Sequence, residues 1–229
     1  GTEPLTPPTL VGDIGGGALY CVVGMLAAIL RARATGQGTV VDAAIVDGSA
    51  HMMNLFMSLA GSSILSTRRG ESLLDGPHWS RTYLTADNGF VAVQCLEPKF
   101  YAQFLEKLDL GDDPEFARQY EPALWPSLSE RLAAIFAGRA RAHWTELFEG
   151  TDCCVAAVLD PAEAAQHPHM AARRTWHETG PVLQAAPAPR FAGEPDWSPS
   201  PSPGRGEHTA EILAELKSRE GGSKEKGPR

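Results

Sequence analysis

The run from Ile14 to Leu30 contains no charged residue and is bounded by Asp13 and Arg31. It constrains the fold most, because so apolar a segment must be covered by something. A helix that crosses a bilayer needs about 20 apolar residues, and this run is shorter and diluted by glycine and alanine. It reads as a buried helix over roughly residues 15–34, ended by the turn Gly36-Gln37-Gly38. No signal-peptide pattern precedes it, so a membrane is not an expected partner.

The 229 residues suffice for one sizeable core or two modest domains. The formal net charge is −8. An acidic surface repels phosphate backbones, so nucleic acid is not an expected partner either. The four cysteines, Cys21, Cys95, Cys153 and Cys154, form no C-x-x-C pair. Their scatter suggests no disulfide framework and no zinc knuckle. Cys153 and Cys154, in the apolar run 153–159, read as buried free thiols, and a reducing, cytoplasmic compartment is expected.

Residues 1–9 carry three prolines and read as a loop. Residues 39–45 are β-rich and read as a strand, after which Asp47 is placed to cap a helix over residues 48–59. Met52, Met53 and Met57 recur at helical spacing and read as packing residues. After a polar connection over 68–80, a hairpin is expected with strands 81–84 and 90–94, turning at Asp87-Asn88-Gly89. Helices follow near 99–107, 128–136 and 142–148, then a short strand 155–159 and a Pro-initiated helix 161–166. Prolines 187, 189, 195, 199, 201 and 203 mark an extended segment. A helix over 207–216 and a disordered tail over 217–229 complete the chain.

The run Gly12-Asp13-Ile14-Gly15-Gly16-Gly17 invites a nucleotide-loop reading, which fails. Counted from Gly15, a G-x-G-x-x-G pattern ends on Tyr20, and no G-K-[ST] tripeptide exists in the chain. Two readings stay open. Asp13 is an N-cap, or it is a working carboxylate beside a helix start whose free N–H groups suit a developing oxyanion. The pair His167 and His169 is too small a donor set for a metal site, and no metal or cofactor is expected.

Several segments, in order, resemble family III CoA-transferases, and among them the α-methylacyl-CoA racemases. These are Val11 to Gly17, Gly36-Gln37-Gly38 with Val40 to Ala44, and Val46-Asp47-Gly48. Arg69-Gly70, Leu74-Asp75-Gly76, Tyr83, and Thr85-Ala86-Asp87 continue the order. Glu97-Pro98-Lys99-Phe100-Tyr101 is similar to the racemase E-P-x-F-Y signature. Thr151 to Val155, Ala188 to Phe191 and Gly206 to Thr209 extend the match, which covers nearly all of residues 10–216.

The resemblance implies an α/β fold: part of a Rossmann-like large domain plus a small α+β domain, in an interlocked dimer. Residues 1–70 would belong to the large domain, 75–185 to the small one, and 186–216 would return to the large domain. It implies acyl-CoA as substrate. Asp13 would be one acid/base of a racemase, or the nucleophile of a transferase. Glu97 would orient the partner catalytic histidine. Racemising a 2-methylacyl thioester removes a weakly acidic α-proton and returns one to the opposite face, so it uses two bases.

In the family that histidine and much of the CoA-binding surface lie upstream of the Val-Gly-Asp segment, and no histidine precedes Asp13 here. His51 reads as packing or partly exposed. His78, His143, His177 and His208 show no recognisable partners. Gly76-Pro77-His78-Trp79 replaces the family's Gly-Gly-Ala-Pro. The expectation is a racemase-like polypeptide without full autonomous activity. Its partner would be a second copy or a chain supplying the family's N-terminal half. A family III transferase and a non-catalytic subunit are the alternatives.

Overall fold

The computed structural model describes residues 9–61, 65, 66, 68–194, 197 and 200–223. The loop expected at residues 1–8, Pro195, Pro199 and the tail beyond 223 lie outside them. The chain divides into two compact units, one ending at Val158 and the other starting at Leu159.

The first unit opens with a π-helical segment, Leu10–Ala18, which runs into α1, Leu19–Thr35. Gly36 ends α1 in the left-handed region at φ 72°, its N–H bonded to the Ala32 carbonyl at 2.8 Å. The whole helix, Leu10–Thr35, is 26 residues long, and an 18-residue stretch of it has a mean hydropathy of 1.8, enough to cross a membrane by length and composition alone. The expected burial is absent: α1 has no buried residue, and Leu30 is 67% exposed. The expected strand 39–45 is also absent. Residues 37–44 are extended without a strand partner, Val40 is 92% exposed, and α2 begins at Ile45. A β-rich sequence becomes a strand only when a neighbour supplies the ladder.

Helices α2 (Ile45–Met52) and α3 (Asn54–Gly61) replace the single helix expected over 48–59. Asp47 therefore lies in the first turn of α2, where Ala44 is the cap position. α2 packs closely on the π-helical segment, and glycine makes this possible. A Cβ on Gly48 would stand 1.8 Å from the Gly16 carbonyl oxygen, and one on Gly16 would stand 2.4 Å from Ser49 Oγ.

Residues 80–158 form an α+β layer. Strands β1 (Ser80–Leu84), β2 (Phe90–Gln94) and β3 (Val155–Val158) make an antiparallel sheet in that order. Leu84 pairs with Phe90, and Asn88 takes the left-handed conformation at the turn. Val91, Val93 and Cys95 alternate onto the covered face. Against it lie α4 (Pro98–Lys107), α5 (Trp125–Ala137) and α6 (Arg141–Phe148). Phe104, Phe116, Leu128, Leu132 and Phe136 are fully buried there, and Tyr83 stacks on Phe136 at 5.0 Å. Cys153 is buried, but Cys154, expected to share that burial, is exposed at φ 52°.

The second unit begins with α7 (Pro161–Gln166), started by a capping box between Asp160 and Glu163, and α8 (Pro168–Ala172). Nδ1 of His167 accepts the His169 N–H at 3.3 Å, so His167 caps α8. A hairpin of β4 (Trp176–Thr179) and β5 (Val182–Ala185) follows. The final helix, α9, is Thr209–Ser223, starting and ending later than the expected 207–216. Among the described residues both sheets are antiparallel, so the Rossmann-like part expected for residues 1–70 contributes helices and an extended segment only.

Candidate functional site

Asp13 is exposed on the π-helical segment. It is not an N-cap: Thr9 holds the cap position, and the Asp13 N–H bonds the Thr9 carbonyl at 3.0 Å. Its own N–H is therefore not among those left free at the helix start. Of the glycines that follow, Gly16 and Gly17 are buried against α2. They serve helix-to-helix approach rather than ligand approach. Gly15 has more room, its nearest neighbour being the Leu10 carbonyl at 3.4 Å.

Glu97 is exposed at the junction of β2 and α4. Its backbone caps α4, its carbonyl accepting the N–H groups of Phe100 and Tyr101 at 3.0 Å each. Its carboxylate makes no capping bond. It lies near Cys154, whose thiol is pushed up by burial and then by the negative charges of Glu97 and Asp152, with Lys99 opposing. Two segments singled out in the sequence, the E-P-x-F-Y run and Thr151 to Val155, thus meet at one edge of the sheet. Asp13 and Glu97 share no hydrogen bond, and their elements are not among those packed together.

Tyr101, the last residue of the E-P-x-F-Y run, is buried. Its hydroxyl donates to the Phe116 carbonyl at 2.9 Å and lies 2.7 Å from His78 Nε2. One hydroxyl proton serves one acceptor, so His78 must carry its proton on Nε2 and donate to Tyr101. Its Nδ1 is left buried without a partner. Burial, and then the Arg81 charge, lower the His78 pKa to about 4. His78, expected to lack partners, is instead a neutral core residue at 0% exposure, and the Tyr83 hydroxyl bonds its carbonyl at 2.5 Å.

A cleft of about 290 Å³ lies between α1, the extended segment and α2. Tyr20, Val41, Asp42, Asp47 and His51 line it, and the Tyr20 hydroxyl is 2.6 Å from His51 Nδ1. Neither Asp13 nor Glu97 is part of its wall. Two carboxylates make it unsuited to the phosphates of an anionic ligand. Sequence reading missed the Tyr20–His51 pair because 31 positions separate the two residues.

Solved structures share this arrangement of helices and small sheets. A hypothetical protein from Mycobacterium tuberculosis superimposes with a TM-score of 0.69 at 20% identity, covering 92% of this chain and 57% of that one. A CAIB/BAIF family protein from Brucella suis gives 0.64 at 21%, covering 94% and 57%. They define the fold as that of the CaiB/BaiF proteins.

Residues 1–209 match the model of CoA-transferase family III, and the chain belongs to that family. The α-methylacyl-CoA racemases of Mus musculus and Homo sapiens are 36% and 35% identical, each over 94% of this chain. An acetyl-CoA:oxalate CoA-transferase from Acetobacter aceti is 26% identical over 84% of it. The chain spans 57% of the length of the two racemases.

Proposed function

We propose that the chain carries part of the site of an α-methylacyl-CoA racemase. In this reading Asp13 exchanges the α-proton of a 2-methylacyl-CoA thioester, and Glu97 orients the second acid/base. Residues 1–70 are assigned to the large domain, 75–185 to the small one, and 186–216 to the return segment. The observation that carries the reading is the identity to racemases, 35–36% against 26% for the oxalate transferase, in a chain that keeps Asp13 and Glu97 exposed. An exposed carboxylate can accept a proton from a substrate and return it. In this reading the second base and the anion-binding surface for CoA belong to the portion of the family fold that these residues do not span, the chain covering 57% of the racemases' length.

The relatives named as transferases favour a second reading, in which Asp13 attacks the thioester carbonyl and becomes acylated while CoA leaves as the thiolate. Hydroxylamine added to the protein with a 2-methylacyl-CoA separates the two. The racemase reading expects Asp13 to remain unmodified by mass spectrometry. A hydroxamate on Asp13 overturns it in favour of the transferase.

A further inference from the structure

The carbonyls just before Glu97 are held by an arrangement that no sequence motif announced. Gln119 is 6% exposed and sits in the loop between α4 and α5. Its carboxamide nitrogen donates to the Cys95 carbonyl at 3.0 Å and to the Leu96 carbonyl at 3.0 Å. The hydroxyl of the next residue, Tyr120, donates to the same Leu96 carbonyl at 2.6 Å. Gln119 is itself fixed, because its backbone carbonyl accepts the indole N–H groups of Trp79 and Trp125, each at 3.0 Å. Three donors thus converge on the two peptide groups that precede Glu97, and two indoles lock the residue that supplies two of those donors.

We infer that Gln119 and Tyr120 are positioning residues for Glu97, fixing the backbone from which its carboxylate projects. Packing of the sheet end could be met by apolar side chains. Two amide N–H bonds to consecutive carbonyls instead fix orientation as well as position. With Pro98 fixing φ just after it, Glu97 is held on both sides. This inference rests on the role proposed for Glu97, but its test needs no turnover, so the two fail separately.

The exposed Cys154 thiol, which faces Glu97, Asp152, Cys153 and Lys99, reports where the Glu97 carboxylate lies. Its pKa is read from the pH dependence of iodoacetamide labelling, resolved at the Cys154 peptide by mass spectrometry. Glu97→Gln sets the reference, a downward shift. Gln119→Met keeps the side-chain volume and removes both donors. It is expected to move Cys154 down by most of the Glu97→Gln shift, and to add nothing when combined with Glu97→Gln. Tyr120→Phe, at a half-exposed ring that loses only an oxygen, is expected to move it part of the way and serves if Gln119→Met does not fold. A wild-type Cys154 titration in folded Gln119→Met or in Tyr120→Phe overturns the inference. So does a Glu97→Gln variant that leaves Cys154 unmoved, or a shift that persists in full on the Glu97→Gln background.

Discussion

At the residue scale, His78 shows how a single side chain ties stability to pH. Its folded pKa, about 4, lies below the 6.5 of a free imidazole, because a proton on Nδ1 would place an unpaired charge in a site with no exposure. The unfolded chain therefore binds the proton more readily. The His78 contribution is fully present above pH 6.5 and is lost as pH falls from there toward 4, by about 3 kcal/mol in all. Urea midpoints followed by tryptophan fluorescence are expected to fall across that window, with His78→Gln flattening the slope. An unchanged slope would contradict the assignment. From its own neighbours Asp13 stood open as either an N-cap or a working carboxylate, and Glu97 was singled out only through resemblance, since a lone carboxylate before a helix-opening proline carries no local signature. His78 and Gln119 were not legible, because their partners stand 23 and 24 positions away.

Among the elements, those that make their own case locally were read well. The hairpin 80–94 has a turn residue that tolerates positive φ and alternating apolar positions, and α4, α5 and α6 each have an apolar stripe. The strand expected at 39–45 fails for lack of a pairing partner, which no local pattern can reveal. The hairpin β4–β5 went unread because only Gly180-Pro181 separates two short strands of mixed polarity. The close packing of α2 on the π-helical segment makes a direct prediction. Gly48→Ala should free α2, since its methyl would meet the unyielding Gly16 carbonyl, at a cost of about 1–3 kcal/mol or more. Gly15→Ala meets only ordinary contacts and should leave α2 intact. Amide hydrogen exchange checks both: faster exchange across 45–52 is expected in Gly48→Ala alone, and equal rates would contradict the packing.

For the whole molecule, the two parts of the first unit differ in their cover. The α+β layer encloses an aromatic core, whereas Val23, Leu26, Leu30 and Val40 face outward on α1 and the extended segment. Exposed apolar side chains of this kind bind hydrophobic dyes. The folded 229-residue chain is expected to enhance anilinonaphthalene sulfonate fluorescence at neutral pH, and the paired change Val23→Asp, Leu30→Glu should reduce it; no enhancement would mean that this face is covered. The central claim concerns chemistry at Asp13. It is tested by incubating the chain with a 2-methylacyl-CoA in deuterated water and following the α-proton by NMR, alone and mixed with a chain that supplies the remainder of the family fold. The account predicts exchange in at least the mixture, slowed about 100-fold or more by Asp13→Asn. Exchange at the same rate in Asp13→Asn, or no exchange under either condition, would contradict it.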